Sequence, residues 1–195
     1  MSKARLEAFS DGVVAILITI MVLDIKVPGG TSLAALGPVL PVLGGYALSF
    51  VYLGIYWNNH HHLFQIVKHV SGGVLWANLH LLFWLSLVPF TTSWMGWSHG
   101  APVPTALYGV SLLMPALAWL ILQGSLLRAQ GPGSLLAKAL GKDLKGKVSG
   151  ALYVAAVPLA LVRPWLADVI YVVVALIWLV PDRRIEGLMG QQHAS

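Results

Sequence analysis

A serine and an aspartate, Ser10 and Asp11, stand inside one of the most apolar stretches of this chain, RLEAFSDGVVAILITIMVLDI. A charge next to hydrocarbon is expensive unless it has a partner or a task. Side chains of these types can cap a helix, hydrogen-bond to a neighbouring helix or ligate a cation. Ser and Asp are favoured at helix N-caps, where an acid also suits the helix dipole. Against a cap, Arg5 and Glu7 lie upstream in a stretch that itself reads as helical, which places Asp11 within a helix and in need of donors from other segments. Such donors exist in His60, His61 and His62 of YWNNHHHLF, and in Asn78 and His80 further on. A polar network at one membrane depth is expected. The histidines also invite a metal, but neighbours on a helix point about 100° apart and cannot all face one ion. With no cysteine in the chain, thiolate sites and disulfides are excluded, and neither a metal nor a cofactor is expected.

The same stretch carries a second pattern. At about 100° per residue, Ile16, Ile20 and Leu23 lie on one narrow aliphatic stripe with Thr19 at its edge, while Ser10 and Asp11 project to the other side. In an arbitrary membrane helix such a stripe meets lipid or a neighbouring helix.

The elements that must position these residues are membrane spans. Hydrophobic residues make up 57% of the 195, charged ones only 10%, against about 25% in a soluble domain. The fold class is an all-α integral membrane protein. Its first apolar run is too long for the core of a cleaved signal peptide and is expected to stay in the mature chain. Apolar runs bounded by charge, Pro/Gly clusters and interfacial aromatics predict spans at 9–25, 39–57, 74–95, 105–127, 148–162 and 164–180. The last two are separated at Arg163 and Pro164, because proline suits the first position of a new helix. With six spans and both termini cytoplasmic, only Lys26 and Arg163 fall outside, as the concentration of Lys and Arg on the cytoplasmic side requires. A five-span chain would move Arg183 and Arg184 outside and bury Arg163. The net charge of +5 thus follows membrane sidedness and anionic lipid, and nucleic acid is not an expected partner. No strong internal repeat is visible, so residues 1–195 read as one six-helix unit.

The combination of Arg5, Phe9, Ser10 and Asp11 in RLEAFSDGVVAILITIMVLDI resembles the signature of the lysosomal potassium channel family (transmembrane protein 175), with YWNNHHHLF and NLHLLFWLSLVPFTTSWMG in support. The resemblance implies a potassium-permeable cation channel in the bacterial inner membrane, a homotetramer with one six-helix unit per chain and with pore-lining first helices. It implies a hydrophobic constriction at Ile16, with Ile20 and Leu23 as further rings outward, and Thr19 as a pore-facing hydroxyl. Asp24 matches the external mouth, where Lys26 is a possible neutralising neighbour. Arg5, Phe9, Ser10 and Asp11, with His61, Asn78 and His80, then correspond to a structural latch that sets the pore helix. Nothing resembles Thr-Val-Gly-Tyr-Gly, so a carbonyl filter is not expected.

Two other classes compete. A histidine-based membrane metalloenzyme needs several separated histidine boxes, which this chain lacks. A secondary transporter tends to show paired halves and a charged midplane site, whereas the apolar segments here hold mainly Ser, Thr and Pro as polar breaks.

Overall fold

The computed structural model describes residues 2–131, 133–140 and 144–179. It consists of helices: α1 (Lys3–Ile20), α2 (Leu40–Gln65), α3 (Gly72–Leu85), α4 (Val88–Trp97), α5 (Pro102–Gln130), α6 (Leu135–Leu140), α7 (Leu144–Val162) and α8 (Pro164–Leu179). Helix α1 tightens into a 3₁₀ turn over Met21–Asp24, and another 3₁₀ segment, Leu33–Val39, leads into α2. Among the described residues, five helical segments are long and apolar enough to cross a membrane: Lys3–Asp24, Leu33–Gln65, Gly72–Trp97, Pro102–Gln130 and Leu144–Val162. Helix α8 is apolar but has only 16 residues. Val180, the end of the last predicted span, and the basic residues Lys142, Arg183 and Arg184 lie outside the described residues.

Two predicted elements differ from what forms. The span placed at 39–57 runs on as helix to Gln65, because neither Pro nor Gly interrupts NNHHHLFQ. The three histidines therefore sit on the helix and not after it. The span placed at 74–95 is two helices meeting at Ser86 and Leu87. Pro89 has no N–H to give the carbonyl four residues back, so the ladder is interrupted there. The Ser86 N–H, 2.9 Å from the Leu82 carbonyl, and the Ser86 hydroxyl, 2.6 Å from that of Phe83, close the break.

Helix α5 is the central post, packed against α3, α4, α7 and α8, while α1 lies against α2 and α3. One apolar cluster joins α1, α2, α3 and α5 around Leu17, Leu53, Phe64, Leu81 and Leu122. A second joins α2, α5, α7 and α8 around Tyr52, Tyr108, Ala156, Ala160 and Tyr171. Small residues bring helices close where lipid gives no hydrophobic drive for association. Between α2 and α4 the approach is close at Gly96, where a Cβ would stand 2.8 Å from the Val42 Cα. Nearby, the Ser49 hydroxyl bonds Thr92 at 2.6 Å and Tyr108 at 2.9 Å, tying α2 to α4 and α5. Gly96→Ala is expected to push α4 off α2 and destabilise the protein by about 1–3 kcal/mol, the range for overpacking a tight contact. Thermal unfolding in detergent checks it: the variant should melt several degrees lower.

Candidate pore helix and its anchoring network

Helix α1 has two unlike faces. Leu6, Ser10, Val14, Leu17 and Met21, spaced three or four apart, are buried against the bundle. Ile16, Ile20 and Leu23 face away and are 58%, 42% and 80% exposed, whereas Leu17 and Met21 beside them are 6% and 3% exposed. The 3₁₀ turn keeps the open stripe in line, since residues three apart eclipse in that geometry, and Leu23 stands three after Ile20. Thr19 is also on the open side; its hydroxyl donates to the carbonyls of Ala15 at 2.9 Å and Ile16 at 3.0 Å. With its proton held by the helix, the Thr19 oxygen is left as an acceptor.

The buried face is fixed by a chain of hydrogen bonds across three helices. His60 Nε2, on α2, lies 2.8 Å from Asn78 Oδ1, on α3. The Asn78 amide Nδ2 donates to Ser10 Oγ at 2.9 Å, and Ser10 donates to the Leu6 carbonyl at 2.9 Å. An amide oxygen can only accept, so His60 is the donor and the whole chain runs one way, from α2 to the backbone of α1. Ser10, His60 and Asn78 are all buried, and His60 stacks on Phe64 with ring centroids 4.4 Å apart.

Asp11 is exposed and takes a different partner. The Trp57 indole donates to its Oδ1 at 3.0 Å, a second and outer tie from α2 to α1. Since this bond is open to its surroundings, Trp57→Phe is expected to lower stability by no more than about 1 kcal/mol. A melting temperature within about 3 °C of wild type would agree with that assignment.

Several residues expected in the latch lie elsewhere. His61 stacks beside Trp57 and bonds Gln65 at 2.8 Å, and His80 accepts from Trp84 within α3 at 2.9 Å, so neither reaches Ser10 or Asp11. The reason is helical phase. His60 shares a face with Leu53, Leu63 and Phe64, and Asn78 with Val74, Leu81 and Leu85, whereas His61 and His80 are turned off those faces. Arg5 and Phe9 are exposed, and Arg5 has no ion pair among the described residues. The cap alternative for Ser10 and Asp11 fails, because α1 begins at Lys3.

At the other end of α1, the Asp24 carbonyl accepts from the Trp97 indole at 3.2 Å. Lys26 places its Nζ 4.8 Å from the centre of the same Trp97 ring, a cation–π contact, and makes no ion pair with Asp24. The Asp24 carboxylate is exposed. No group of three or more His, Asp or Glu is placed to hold a metal among the described residues. Two buried oxygens lack a partner there, Thr105 Oγ1 and Asp168 Oδ1. Asp168 went unnoticed in the sequence, although a lone acid in an apolar helix is the signal that marks such a residue.

The profile of the endosomal/lysosomal potassium channel TMEM175 family matches residues 5–89, which hold α1, the histidine run and Asn78. A potassium channel of Chryseobacterium sp. (strain P1-3) is 55% identical over 186 residues, covering 95% of this chain and 97% of the relative. The chain belongs to the TMEM175 potassium channel family. Among solved structures, the crystal structure of a lysosomal potassium-selective TMEM175 homologue from Chamaesiphon minutus superposes with a TM-score of 0.78 at 28% identity. It covers 91% of this chain and 96% of that one. Human TMEM175, described as an endosomal/lysosomal proton channel, is 41% identical over 80 residues, 35% of this chain but 16% of the human one. This TMEM175 family member is thus a membrane cation channel and not an enzyme.

Proposed function

We propose that this protein is a homotetrameric, potassium-permeable channel of the bacterial inner membrane whose pore is lined by α1. The observation that carries this reading is the unlike pair of faces on α1. One face is locked into the protomer by Ser10, and the other leaves Ile16, Ile20 and Leu23 without a covering element. Four copies of that open stripe around an axis form successive aliphatic rings, Ile16 and Ile20 being about 6 Å apart along the helix. Such rings gate by excluding water instead of coordinating the ion. Thr19, with its oxygen left as an acceptor, sits between the first two rings and suits a partly dehydrated cation. The exposed Asp24 carboxylate lies beyond the last ring and favours cations at the mouth.

The reading includes six spans, α3 and α4 together forming the third, with both termini cytoplasmic. The charge distribution supports it. Lys3 donates to the Gln65 carbonyl at the end of α2, and the Lys68 N–H donates to Gln130 at the end of α5, which gathers Lys3, Lys68 and Arg128 at one end. Lys26 lies at the other end, beside Trp97.

Recording from purified protein in planar bilayers under a potassium gradient tests the function, with subunit number measured by mass photometry. A passive current that reverses near the potassium equilibrium potential, carried by tetramers, is the expected result. Flux that saturates at carrier rates, or that needs a second coupled ion, would instead make the protein a secondary transporter.

A further inference from the structure

Asp24 closes the 3₁₀ turn at the end of α1, and a cation, Lys26, follows two residues later. Ile25 between them is extended, with φ −81° and ψ 105°, and side chains that flank an extended residue lie on the same side of the chain. Chain geometry thus offers Lys26 the Asp24 carboxylate as its default partner. An ion pair there would cancel the charge that the reading of α1 as the pore helix places at the mouth.

The structure gives Lys26 a different partner. Its Nζ stands 4.8 Å from the centre of the Trp97 ring, while the indole N–H of the same residue donates to the Asp24 carbonyl at 3.2 Å. Trp97 is the last residue of α4, which packs against both α1 and its 3₁₀ turn. Its side chain is half-buried, whereas Asp24 and Lys26 are exposed. One tryptophan therefore acts on both members of the pair: its N–H fixes the backbone from which the carboxylate projects, and its ring face draws the ammonium back onto α4. Indole attracts a cation more strongly than the other aromatic rings, and at exposed sites that attraction is as large as a surface ion pair. It is enough to tip Lys26 towards the ring.

We propose that Trp97 is a positioning residue for the outer mouth of the channel, holding Lys26 off Asp24 so that the carboxylate meets the permeant ion uncancelled. This rests on α1 lining the pore with Asp24 at its external end. Four such carboxylates around the axis, with the ammonium groups set back against α4, raise the local concentration of cations where they enter. The effect falls on ions arriving from outside and fades as salt screens the charges.

Whole-cell recording from cells expressing the full-length channel tests this, with external potassium chloride at about 10 and about 150 mM, between which the screening length falls from about 30 to about 8 Å. Trp97→Leu removes both ring and N–H and should lower inward current at the lower salt about twofold, the share set by an exposed cation–π contact, with outward current close to wild type. Trp97→Phe keeps a ring face and should stay near wild type. Lys26→Gln should bring the inward current of Trp97→Leu back to at least the wild-type level. A Trp97→Leu loss that is equal in both directions, equal at both salts or not relieved by Lys26→Gln would overturn the proposal, as would no loss at all. Where Trp97→Leu does not fold, Lys26→Gln alone decides: it should raise inward current by less than Asp24→Asn lowers it, and an equal rise would mean that Lys26 already neutralises the carboxylate. Asp24→Asn itself should lower inward current at the lower salt; without that fall the proposal fails, while a response to Ile16→Asn keeps α1 in the pore. If Ile16→Asn is silent as well, the reading of α1 fails with it.

Discussion

Ile16→Asn should raise single-channel potassium conductance roughly tenfold, the effect of lowering a permeation barrier by about 1.4 kcal/mol. The argument rests on where Ile16 stands. It is 58% exposed on the open face of α1 while its neighbour Leu17 is buried, so the side chain is available to a pore and is not needed by the protomer's core. A ring of branched aliphatic side chains expels water, and an ion that cannot keep its hydration shell meets a barrier at that ring. An amide is smaller and offers donors and acceptors, which lets water persist through the constriction. Ile16→Ala widens the ring without making it polar and should give a smaller increase. Because neither change touches the Ser10 face, the melting temperature should stay close to wild type. Bilayer recordings of the three proteins decide it: equal currents would remove Ile16 from the conduction path.

The second large effect is expected at Asn78. This residue is 2% exposed and uses both ends of its amide, accepting from His60 and donating to Ser10. Asn78→Ala strands the His60 N–H in a buried site and deprives Ser10 Oγ of its donor. An unsatisfied buried polar group costs about 1–3 kcal/mol, although single interhelical bonds in membranes average nearer 0.6. With two groups affected and a small cavity left, about 2 kcal/mol is expected, or a melting temperature lower by roughly 5 °C. Ser10→Ala should cost less, about 1 kcal/mol, since His60 keeps its acceptor. Heating followed by size-exclusion chromatography reads both values. The proportion of potassium to sodium current in the surviving channels should not move, because Asn78 meets the buried face of α1 and not its open stripe. A change in selectivity with unchanged stability would put this residue in the conduction path.

How much of this was legible in the sequence depends on the kind of signal. The stripe of Ile16, Ile20 and Leu23 was readable because one helix has one period, and no other element is needed to see it. That Ser10 and Asn78 meet follows from two segments each carrying a polar residue on an otherwise buried face. The choice of His60 over His61 and His80 was available in principle, since only His60 is in phase with Leu53 and Phe64. It was obscured by ending α2 before the histidines, which removed the helical phase that tells the three apart. The split of α3 from α4 was missed because apolar residues run straight through Ser86 and Leu87, and only Pro89 marks the break. The Trp57–Asp11 bond could not be anticipated, as a tryptophan near a span end reads as an interfacial belt residue whatever its indole touches.

The one-way run of donors from His60 to the Leu6 carbonyl bears on how the channel meets acid. His60 offers Nε2–H to Asn78 both as the neutral ring with its proton on that nitrogen and as the imidazolium. Every hydrogen bond in the relay is therefore the same whichever form the ring takes. The clamp on α1 therefore has one geometry for both forms of the ring.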